Sequence, residues 1–426
     1  MKEDLLHFVW MYRKYPVNHL STTQGETLLV LQTGMHNKHS GPDFFNAQLN
    51  INGQLWAGNV EIHIKSSDWY AHHHQNDENY NNVILHVVWE DDVDVFRSDG
   101  SIIPTLCFKE YIPKKTLDTY QQLFDAKNYR FINCEKEIGE VDTFVLNNWT
   151  DRLFIERLEQ KSHLIQELLK FTNNDWEYVL FLMLLKNFGS KINGDSFLQL
   201  GKSIDFSIIR KLSGESFKLE SLLMGQAGLL NREEIDDVYY LGLKNEYSYL
   251  KRKYQLKDTP GITPEFFKLR PSNFPTIRLS QIAQLYAVNN QLFQSVIENN
   301  EKDISEYFSI SASSYWNDHF TFGKTSKISQ KKLTSNFIEL LLINTIVPLK
   351  FCYERFKGNN NTEGVIGIID SLRNENNTMI DKFKSLGVPI ESAKTSQAFL
   401  QLYTHYCEKN KCLDCAIGAR LMNLKG

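Results

Sequence analysis

The stretch GPDFFNAQLNINGQLWAGNVEIHIKSSDW, Gly41 to Trp69, determines the fold of the first part of the chain. An Asn-Gly pair separates two runs of alternating apolar and polar residues, which is the strongest short-range signal of a β-hairpin. In the second run, Glu61, His63 and Lys65 alternate with apolar residues, so these polar side chains share one face of the predicted strand. That face is either an ordinary solvated surface or the floor of an active site.

The elements on either side of this hairpin predict a mixed α/β arrangement. The flanking sequences predict an opening helix, a short strand, a polar connector (a helix or an ordered loop) and a strand buried on both faces, with the sequences EDLLHFVWMYRK, ETLLVLQTG, SSDWYAHHHQNDENYNN and NVILHVVWEDD. From about Pro113 the pattern becomes helical. We therefore predict an α+β protein, with a mixed-sheet domain over residues 1–125 and a large all-α region over residues 126–426. The boundary falls within residues 112–140.

Composition excludes several classes of function. The net charge of the 426 residues is −4, so no global basic field attracts nucleic acid or anionic lipid, and any nucleic-acid contact needs a local patch. The N-terminus lacks the pattern of a signal peptide. The most apolar run, FIELLLINTIVPLKF, is too short to span a membrane and predicts a buried helix. We expect a cytoplasmic protein without membrane contact, whose six cysteines are reduced.

Paired carboxylates suggest a metal site near the hairpin. Asp43 follows a Gly-Pro turn, and Glu61 lies on the next predicted strand. Two such carboxylates can hold one hard cation, Mg²⁺ or Mn²⁺, which keeps several water ligands. His63 or Lys65 beside that cation would then activate the attacking water.

Histidines concentrate in the same region, since nine of the twelve lie between residues 7 and 86. His72, His74, Asp77 and His86 are further candidate metal ligands. His86 interrupts an apolar strand, where a polar group needs a partner. A single core histidine is usually just hydrogen-bonded, but a cluster facing two carboxylates favours a site. One alternative is therefore a hydrolase whose zinc is bound by His72, His74 and His86.

The order of these elements resembles the core of the PD-(D/E)XK nuclease superfamily over residues 1–90. Pro42-Asp43 corresponds to the "PD" of the motif and Glu61 to its second acid. The resemblance implies a restriction-endonuclease-like core and metal-dependent hydrolysis of phosphodiester bonds. The chain departs from the motif at His63, which occupies the usual lysine position; the nearest lysine is Lys65. This departure leaves the identity of the base open.

A second resemblance covers nearly the whole chain. The segments GMHNKHSGPDFF, RPSNFPTIR and CEKNKCLDCAIG are similar to those of the bacterial family of domains of unknown function 2851. This resemblance implies no settled activity.

A cysteine cluster lies near the C-terminus, with the spacing Cys407-x4-Cys412-x2-Cys415. Two thiolates separated by two intervening residues are typical of a zinc knuckle or an iron–sulfur site. A fourth ligand would be needed, and His405, Cys352 and Cys134 are equally open from the sequence. An equally weighted alternative is a set of packed thiols without metal. Any metal bound here is expected to have a structural role.

Two arginines in a Pro-rich segment, Arg270 and Arg278, are candidate phosphate-binding residues. For that segment alone, an ordered linker is the more common explanation. We predict from these patterns a metal-dependent phosphodiesterase or nuclease acting on DNA or RNA. The alternative is a non-catalytic scaffold that binds nucleic acid or protein through a degraded nuclease-like site.

Overall fold

The computed structural model describes residues 2–125, 131–257, 263–299, 301–359 and 363–425. The chain forms two units, the first made of Met1–Trp149, Leu386–Val388 and Leu402–Gly426, and the second of Thr150–Ser385 and Pro389–Gln401. The first unit thus extends beyond residue 125, where the sequence pattern put the change, and it includes the C-terminal segment. Local periodicity carries no information about packing between segments so distant in sequence, which explains the difference.

The first unit contains a mixed seven-stranded sheet. Its strands are β1 (Leu20–Ser21), β2 (Thr27–Gln32), β3 (Met35–His36), β4 (Phe44–Ile51), β5 (Gln54–Lys65), β6 (Val83–Glu90) and β7 (Thr105–Cys107). The order is β1-β2-β4-β5-β6-β7, with β3 also paired to β4. Strands β1, β2, β4 and β5 pair antiparallel, whereas β5, β6 and β7 pair parallel. The predicted α+β class is confirmed.

Helices of the first unit are α1 (Glu3–Met11), α2 (Asp68–Ala71), α3 (Lys114–Phe124) and α18 (Ala416–Lys425), together with the start of α4 (Thr143–Phe171). Helix α1 packs on β5, and α18 packs on α3. The short α2 lies in the connector between β5 and β6, and the chain crosses over there so that the two strands run parallel.

The β4–β5 hairpin forms as predicted, with Ile51 opposite Gln54. Asn52 and Gly53 both have positive φ, 51° and 87°. A two-residue turn with positive φ at both positions is the type I′ turn, whose twist matches that of the flanking strands. This turn fixes the register, and the register determines which side chains of β5 share a face.

Strand β6 supplies the buried partner of β5. Its first six residues are all buried, as the nearly continuous apolar run predicts. The parallel pairing sets Glu61 opposite His86 and His63 opposite Val88. The polar residues of β5 therefore lie next to the one histidine of β6.

The second unit is almost entirely helical. Besides most of α4, its helices are α5 (Trp176–Phe188), α6 (Ser190–Lys202), α7 (Phe206–Lys211), α8 (Ser216–Gln226), α9 (Val238–Tyr254), α10 (Pro275–Val288), α11 (Leu292–Glu298), α12 (Glu301–Tyr307), α13 (Ser335–Leu341), α14 (Val347–Phe356), α15 (Glu363–Ser371), α16 (Thr378–Ser385) and α17 (Ala393–Leu402). A small hairpin joins β8 (His319–Thr321) and β9 (Lys324–Thr325).

The apolar run that predicts a buried helix lies in the continuous helical stretch Ser335–Phe356. By length and composition this stretch could cross a membrane, but 61% of its apolar window is buried within the protein. A π-helical turn, Leu342–Ile346, joins α13 to α14 just before Pro348. Pro348 has no N–H, so it cannot donate the usual helical hydrogen bond to the backbone carbonyl of Asn344, four residues earlier. The side-chain amide of Asn187 donates to this carbonyl instead, at 3.4 Å.

Lys161 of α4 makes an unusual set of contacts for an ammonium group. Its Nζ donates to Gln397 Oε1 at 2.6 Å, to Asn344 Oδ1 at 2.9 Å and to the Ile343 carbonyl at 3.3 Å. Burial, followed by the charge of Arg157, lowers the pKa of Lys161 to about 7. Lysine in an unfolded chain has a pKa of about 10.4. Between these two pH values, the unfolded state therefore binds more protons at Lys161 than the folded state does.

We therefore expect the contribution of Lys161 to stability to rise with pH from about 7 to about 10. Chemical denaturation across this range should give a rising free energy of unfolding for the wild type relative to Lys161→Met. Lys170→Met, which changes an exposed lysine of the same helix, is the matched control and should parallel the wild type. Parallel pH curves for all three proteins would contradict the expectation.

Candidate metal centre

The polar face of β5 is buried. Glu61 is only 5% exposed and His63 only 1%. In an ordinary half-exposed strand these two side chains would lie in water. Their burial shows that this part of the polar face of β5 is not a solvated surface. Lys65, on the same face at the end of the strand, is exposed. The structure thus separates Lys65 from the buried pair.

Asp43 and Glu61 are held together by reciprocal hydrogen bonds. The backbone N–H of Asp43 donates to Glu61 Oε2 at 3.1 Å, and the backbone N–H of Ile62 donates to Asp43 Oδ2 at 2.9 Å. Phe44, the first residue of β4, pairs with Val60 in the antiparallel ladder. Asp43, which precedes Phe44, therefore lies beside Glu61, which follows Val60. The two carboxyl groups singled out by the sequence are therefore brought together.

Helix α1 adds a residue that the sequence did not single out. His7 Nε2 lies 3.4 Å from Asp43 Oδ2. Burial by itself lowers the pKa of His7, but Asp43, Glu3 and Glu61 together raise it above its ordinary value. Glu3 and His7 are four residues apart, so they share a face of α1. The sequence feature that could have identified His7 is its four-residue spacing from Glu3 on an otherwise apolar helix.

Three histidines converge beside Glu61. A ring nitrogen from each of His63, His72 and His74 lies within 4.8 Å of the other two, and His63 Nε2 is 3.1 Å from His72 Nδ1. Glu61 Oε1 lies 3.5 Å from His63 Nε2 and 3.4 Å from His74 Nε2. His86 Nε2 lies behind His63, 2.9 Å from its Nδ1.

The backbone of the His72-His73-His74 run explains why two of its side chains reach the cluster. His73 has a left-handed conformation, with φ of 61°. This conformation turns the chain between His72 and His74, while His73 itself is exposed. Of the three consecutive histidines, only His72 and His74 therefore contribute to the cluster.

Surrounding contacts hold the connector in place. Tyr80 stacks on His74 with ring centroids 3.8 Å apart, and Trp69 meets the same ring edge-on. Asp92 accepts hydrogen bonds from the hydroxyls of Ser66 and Ser67, both at 2.9 Å, at the start of α2. The histidine-bearing turn is thus fixed at both ends.

Asp77, another predicted ligand, serves this connector differently. Its Oδ1 accepts a hydrogen bond from the Asn79 backbone N–H at 2.9 Å and caps the turn Glu78–Tyr80. Asp77 is exposed. Its visible role is that of a cap.

Burial shifts the pKa values of the cluster strongly. The pKa of Glu61 is raised to about 9, first by burial and then by the like charge of Asp43. Burial, followed by the neighbouring histidines, lowers the pKa of His63 to about 2. Burial also lowers the pKa of His86, to about 3, and the pKa of His74. His63, His74 and His86 are therefore neutral at physiological pH, as metal ligands must be.

The arrangement fits a divalent transition metal. Ligand nitrogens in a tetrahedral zinc site are about 3.3 Å apart, given Zn–N bonds of about 2.0–2.1 Å, and the His63–His72 separation of 3.1 Å is close to this. When His63 donates from Nδ1 to His86, its Nε2 lone pair faces His72 and Glu61, which is the tautomer a metal requires. His86 Nδ1 is buried without a hydrogen-bond partner among the described residues. A cation here would also offset the cost of burying Glu61.

The two candidate phosphate-binding arginines lie in the second unit and differ in exposure. Arg278 is buried in α10, where its guanidinium donates to Gln281 at 2.9 Å and to Asn273 at 2.7 Å and lies 3.6 Å from the Phe337 ring centroid. Arg270 is exposed. Within this unit, Arg278 has a packing role and Arg270 is the accessible member of the pair.

The predicted cysteine ligands Cys407, Cys412 and Cys415 do come together, around one cavity in the first unit. A fourth thiol, that of Cys134, lines the same cavity. The spacing of the three C-terminal cysteines predicted their proximity. Nothing in the local sequence around Cys134 distinguished it from Cys352 or His405.

No curated protein and no solved structure matches this chain at a significant level. The family described as "Protein of unknown function (DUF2851)" matches residues 3–378. Because this match covers nearly the whole chain, the protein belongs to the DUF2851 family.

Proposed function

We propose that the first unit is a metal-dependent hydrolase of phosphodiester bonds in DNA or RNA. His63, His72 and His74 would bind a divalent transition metal, and Glu61 would transfer protons at the bound water. One observation carries the proposal: a buried Glu61 carboxyl lies within 3.5 Å of two nitrogens of a three-histidine cluster. Buried ionisable groups with strongly shifted pKa values concentrate at functional sites, where their chemistry offsets the cost of burying them.

The donor set favours Mn²⁺ or Zn²⁺ over Mg²⁺. Imidazole suits transition metals, whereas Mg²⁺ is bound mainly by oxygen ligands. A bound metal of this kind supplies a water of lowered pKa and polarises a phosphoryl oxygen. The chain's own residues then have distinct tasks. His86 orients His63 through Nδ1, and Asp43 fixes the Glu61 carboxyl through the backbone contacts between β4 and β5.

Substrate class is supported by the topology. A helix, three adjacent antiparallel strands (β2, β4 and β5), a short helix and a parallel strand (β6) follow one another in the first unit. Asp43 precedes the second of these strands and Glu61 lies on the third, as the resemblance to PD-(D/E)XK nucleases implies. His63 replaces the lysine of that motif, and an imidazole there turns an oxygen site into a mixed nitrogen and oxygen site.

The test removes two histidines and keeps the third. His72→Ala/His74→Ala should lose about one equivalent of bound Mn²⁺ or Zn²⁺ by elemental analysis, and metal-stimulated cleavage of DNA and RNA oligonucleotides should fall at least about 10²-fold. His73→Asn is the matched control, because His73 is exposed and asparagine tolerates positive φ. It should keep both the metal and the activity. A double variant that retains both would overturn the proposal.

A second candidate is a non-catalytic module with a metal-stabilised core. The observation that favours it is the pair of reciprocal Asp43–Glu61 hydrogen bonds, which ties β4 to β5 and is itself a structural role. In that case the wild type would bind metal and gain thermal stability from it. It would, however, cleave no DNA, RNA or bis(p-nitrophenyl) phosphate with Mn²⁺, Zn²⁺ or Mg²⁺.

A further inference from the structure

Four cysteine side chains line one small cavity in the first unit: Cys134, Cys407, Cys412 and Cys415. Apolar side chains form much of the remaining wall, among them Leu123, Leu402 and Ile417. Cys134 precedes α4 in the chain, whereas the other three follow α17. Convergence of four thiols from such distant segments is not a consequence of local spacing.

We propose that these four thiols bind an iron–sulfur cluster, with Cys134 as the fourth ligand. Four cysteine thiolates are the standard ligand set of such clusters. The site is independent of the histidine cluster and of the proposed hydrolase activity. Its role is to join the C-terminal segment to the rest of the first unit.

The other candidate ligands are engaged elsewhere. His405 does not line the cavity, and its Nδ1 is paired with Thr404 Oγ1 at 2.8 Å. Cys352 lies in the second unit, where Ser162 is its hydrogen-bond partner. Cys107, at the end of β7, donates to the Trp89 carbonyl at 3.2 Å. These contacts leave Cys134 as the ligand that completes the set.

Hydrogen-bond donors point at two of the sulfurs. The backbone N–H groups of Ile417 and Gly418 donate to Cys415, and the Asn133 side chain donates to Cys412. A neutral thiol is a weak acceptor, so several N–H groups directed at sulfur suit a thiolate. A bound metal provides that thiolate, because it deprotonates the thiols that coordinate it.

The spacing of the thiols favours a cluster over a single zinc ion. Sulfur atoms around one tetrahedral zinc are about 3.8 Å apart, from Zn–S bonds of about 2.3 Å. Within the described part of the chain, the one group of three or more potential ligand atoms within 4.8 Å of one another is the histidine trio. In every set of three of these thiols, at least one pair of sulfurs is therefore more than 4.8 Å apart. In an iron–sulfur cluster the thiolates bind different iron atoms, so their sulfur atoms can lie farther apart than around a single zinc ion.

The cavity wall leaves little freedom for the turn that carries two of the ligands. A Cβ added to Gly418 would lie 2.0 Å from the Cys412 carbonyl oxygen, so α18 starts directly against this turn. The turn is closed by the Cys415 N–H, which donates to the Cys412 carbonyl at 3.2 Å. Glycine at position 418 is thus required for the close approach, and the two thiols are held at a fixed spacing.

The experiment measures iron and acid-labile sulfide in the full-length protein, purified without oxygen and reconstituted with ferrous iron and sulfide. We expect about two of each per chain for a [2Fe–2S] cluster or about four for a [4Fe–4S] cluster, and their loss, with less than about one iron remaining, in Cys134→Ser and in Cys412→Ser. Cys352→Ser is the matched control, because it removes a buried thiol outside the cavity, and it should keep the cluster. Trypsin should release the C-terminal segment faster from Cys134→Ser than from this control.

The wild-type measurement decides the proposal even if a variant fails to fold. One zinc per chain without sulfide, retained in His72→Ala/His74→Ala but lost in Cys412→Ser, would overturn the cluster assignment. Failure to incorporate iron and sulfide after reconstitution would do the same. Full iron content in a folded Cys134→Ser would overturn the assignment of the fourth ligand. A failed hydrolase assay leaves these outcomes unaffected, because they depend on sulfide and iron alone.

Discussion

Under the proposed hydrolase function, replacing Glu61 by glutamine is expected to lower metal-stimulated hydrolysis by about 10²- to 10⁴-fold, which is the usual contribution of a positioned acid–base group. Glutamine has the same shape, and its Oε1 can still accept the hydrogen bond from the Asp43 N–H. It cannot take or give a proton at the bound water. Because the three histidines are unchanged, metal content should stay near the wild-type value.

The measurements are kcat and KM on an oligonucleotide substrate, bound metal and the thermal midpoint. The loss should appear in kcat, since the change removes proton transfer rather than substrate binding. Glu90→Gln changes an exposed carboxyl at the end of β6 and should have no effect. A Glu61→Gln protein with wild-type kcat would remove Glu61 from the reaction, whereas loss of metal would make it a ligand instead.

Replacing Glu220 by alanine is expected to destabilise the second unit by about 3–5 kcal/mol, because it removes a buried side chain that accepts several hydrogen bonds and leaves a cavity. Glu220 is fully buried in α8. Its Oε1 accepts from Trp316 Nε1 at 2.7 Å and from the Tyr239 hydroxyl at 3.0 Å, and its Oε2 accepts from the Ser280 hydroxyl at 2.7 Å. Alanine leaves these donors without their acceptor and opens a cavity.

Glu220→Gln is the control, because the amide oxygen can still accept from Trp316 and Tyr239. It should cost about 1 kcal/mol, the value of a single altered hydrogen bond. Urea denaturation followed by tryptophan fluorescence gives both free energies. If the alanine variant unfolds within about 0.5 kcal/mol of the wild type, the network does not contribute as its geometry indicates.

Local patterns predicted the elements around the site, and tertiary contacts decided the chemistry. The Asn-Gly turn, the buried run of β6 and the Asp43–Glu61 pairing follow from residue type and spacing, which act over a few residues. Burial of Glu61 does not follow from spacing. It depends on the connector and on α1 covering a face that the alternation alone would leave in water.

The same dependence on tertiary contacts explains His7, which the sequence did not single out, and Cys134, which the sequence left as one of three candidate fourth ligands. His7 reaches Asp43 because α1 packs on β5, and Cys134 meets the C-terminal thiols because the chain returns to the first unit. In both cases the partners are far apart in sequence. Arg278 illustrates the opposite case, since a basic residue among prolines and aromatics resembles a binding residue but is buried against Gln281, Asn273 and Phe337.

The return of residues 402–426 to the first unit has a consequence for synthesis. A ribosome makes the sheet first, then the whole helical second unit, and only then α18, which packs on α3. During translation the first unit must therefore remain incomplete, with the surface that α18 covers still open, until Ala416–Lys425 emerges. Emergence of α18 from the ribosome, rather than completion of the sheet, is the step that closes the first unit.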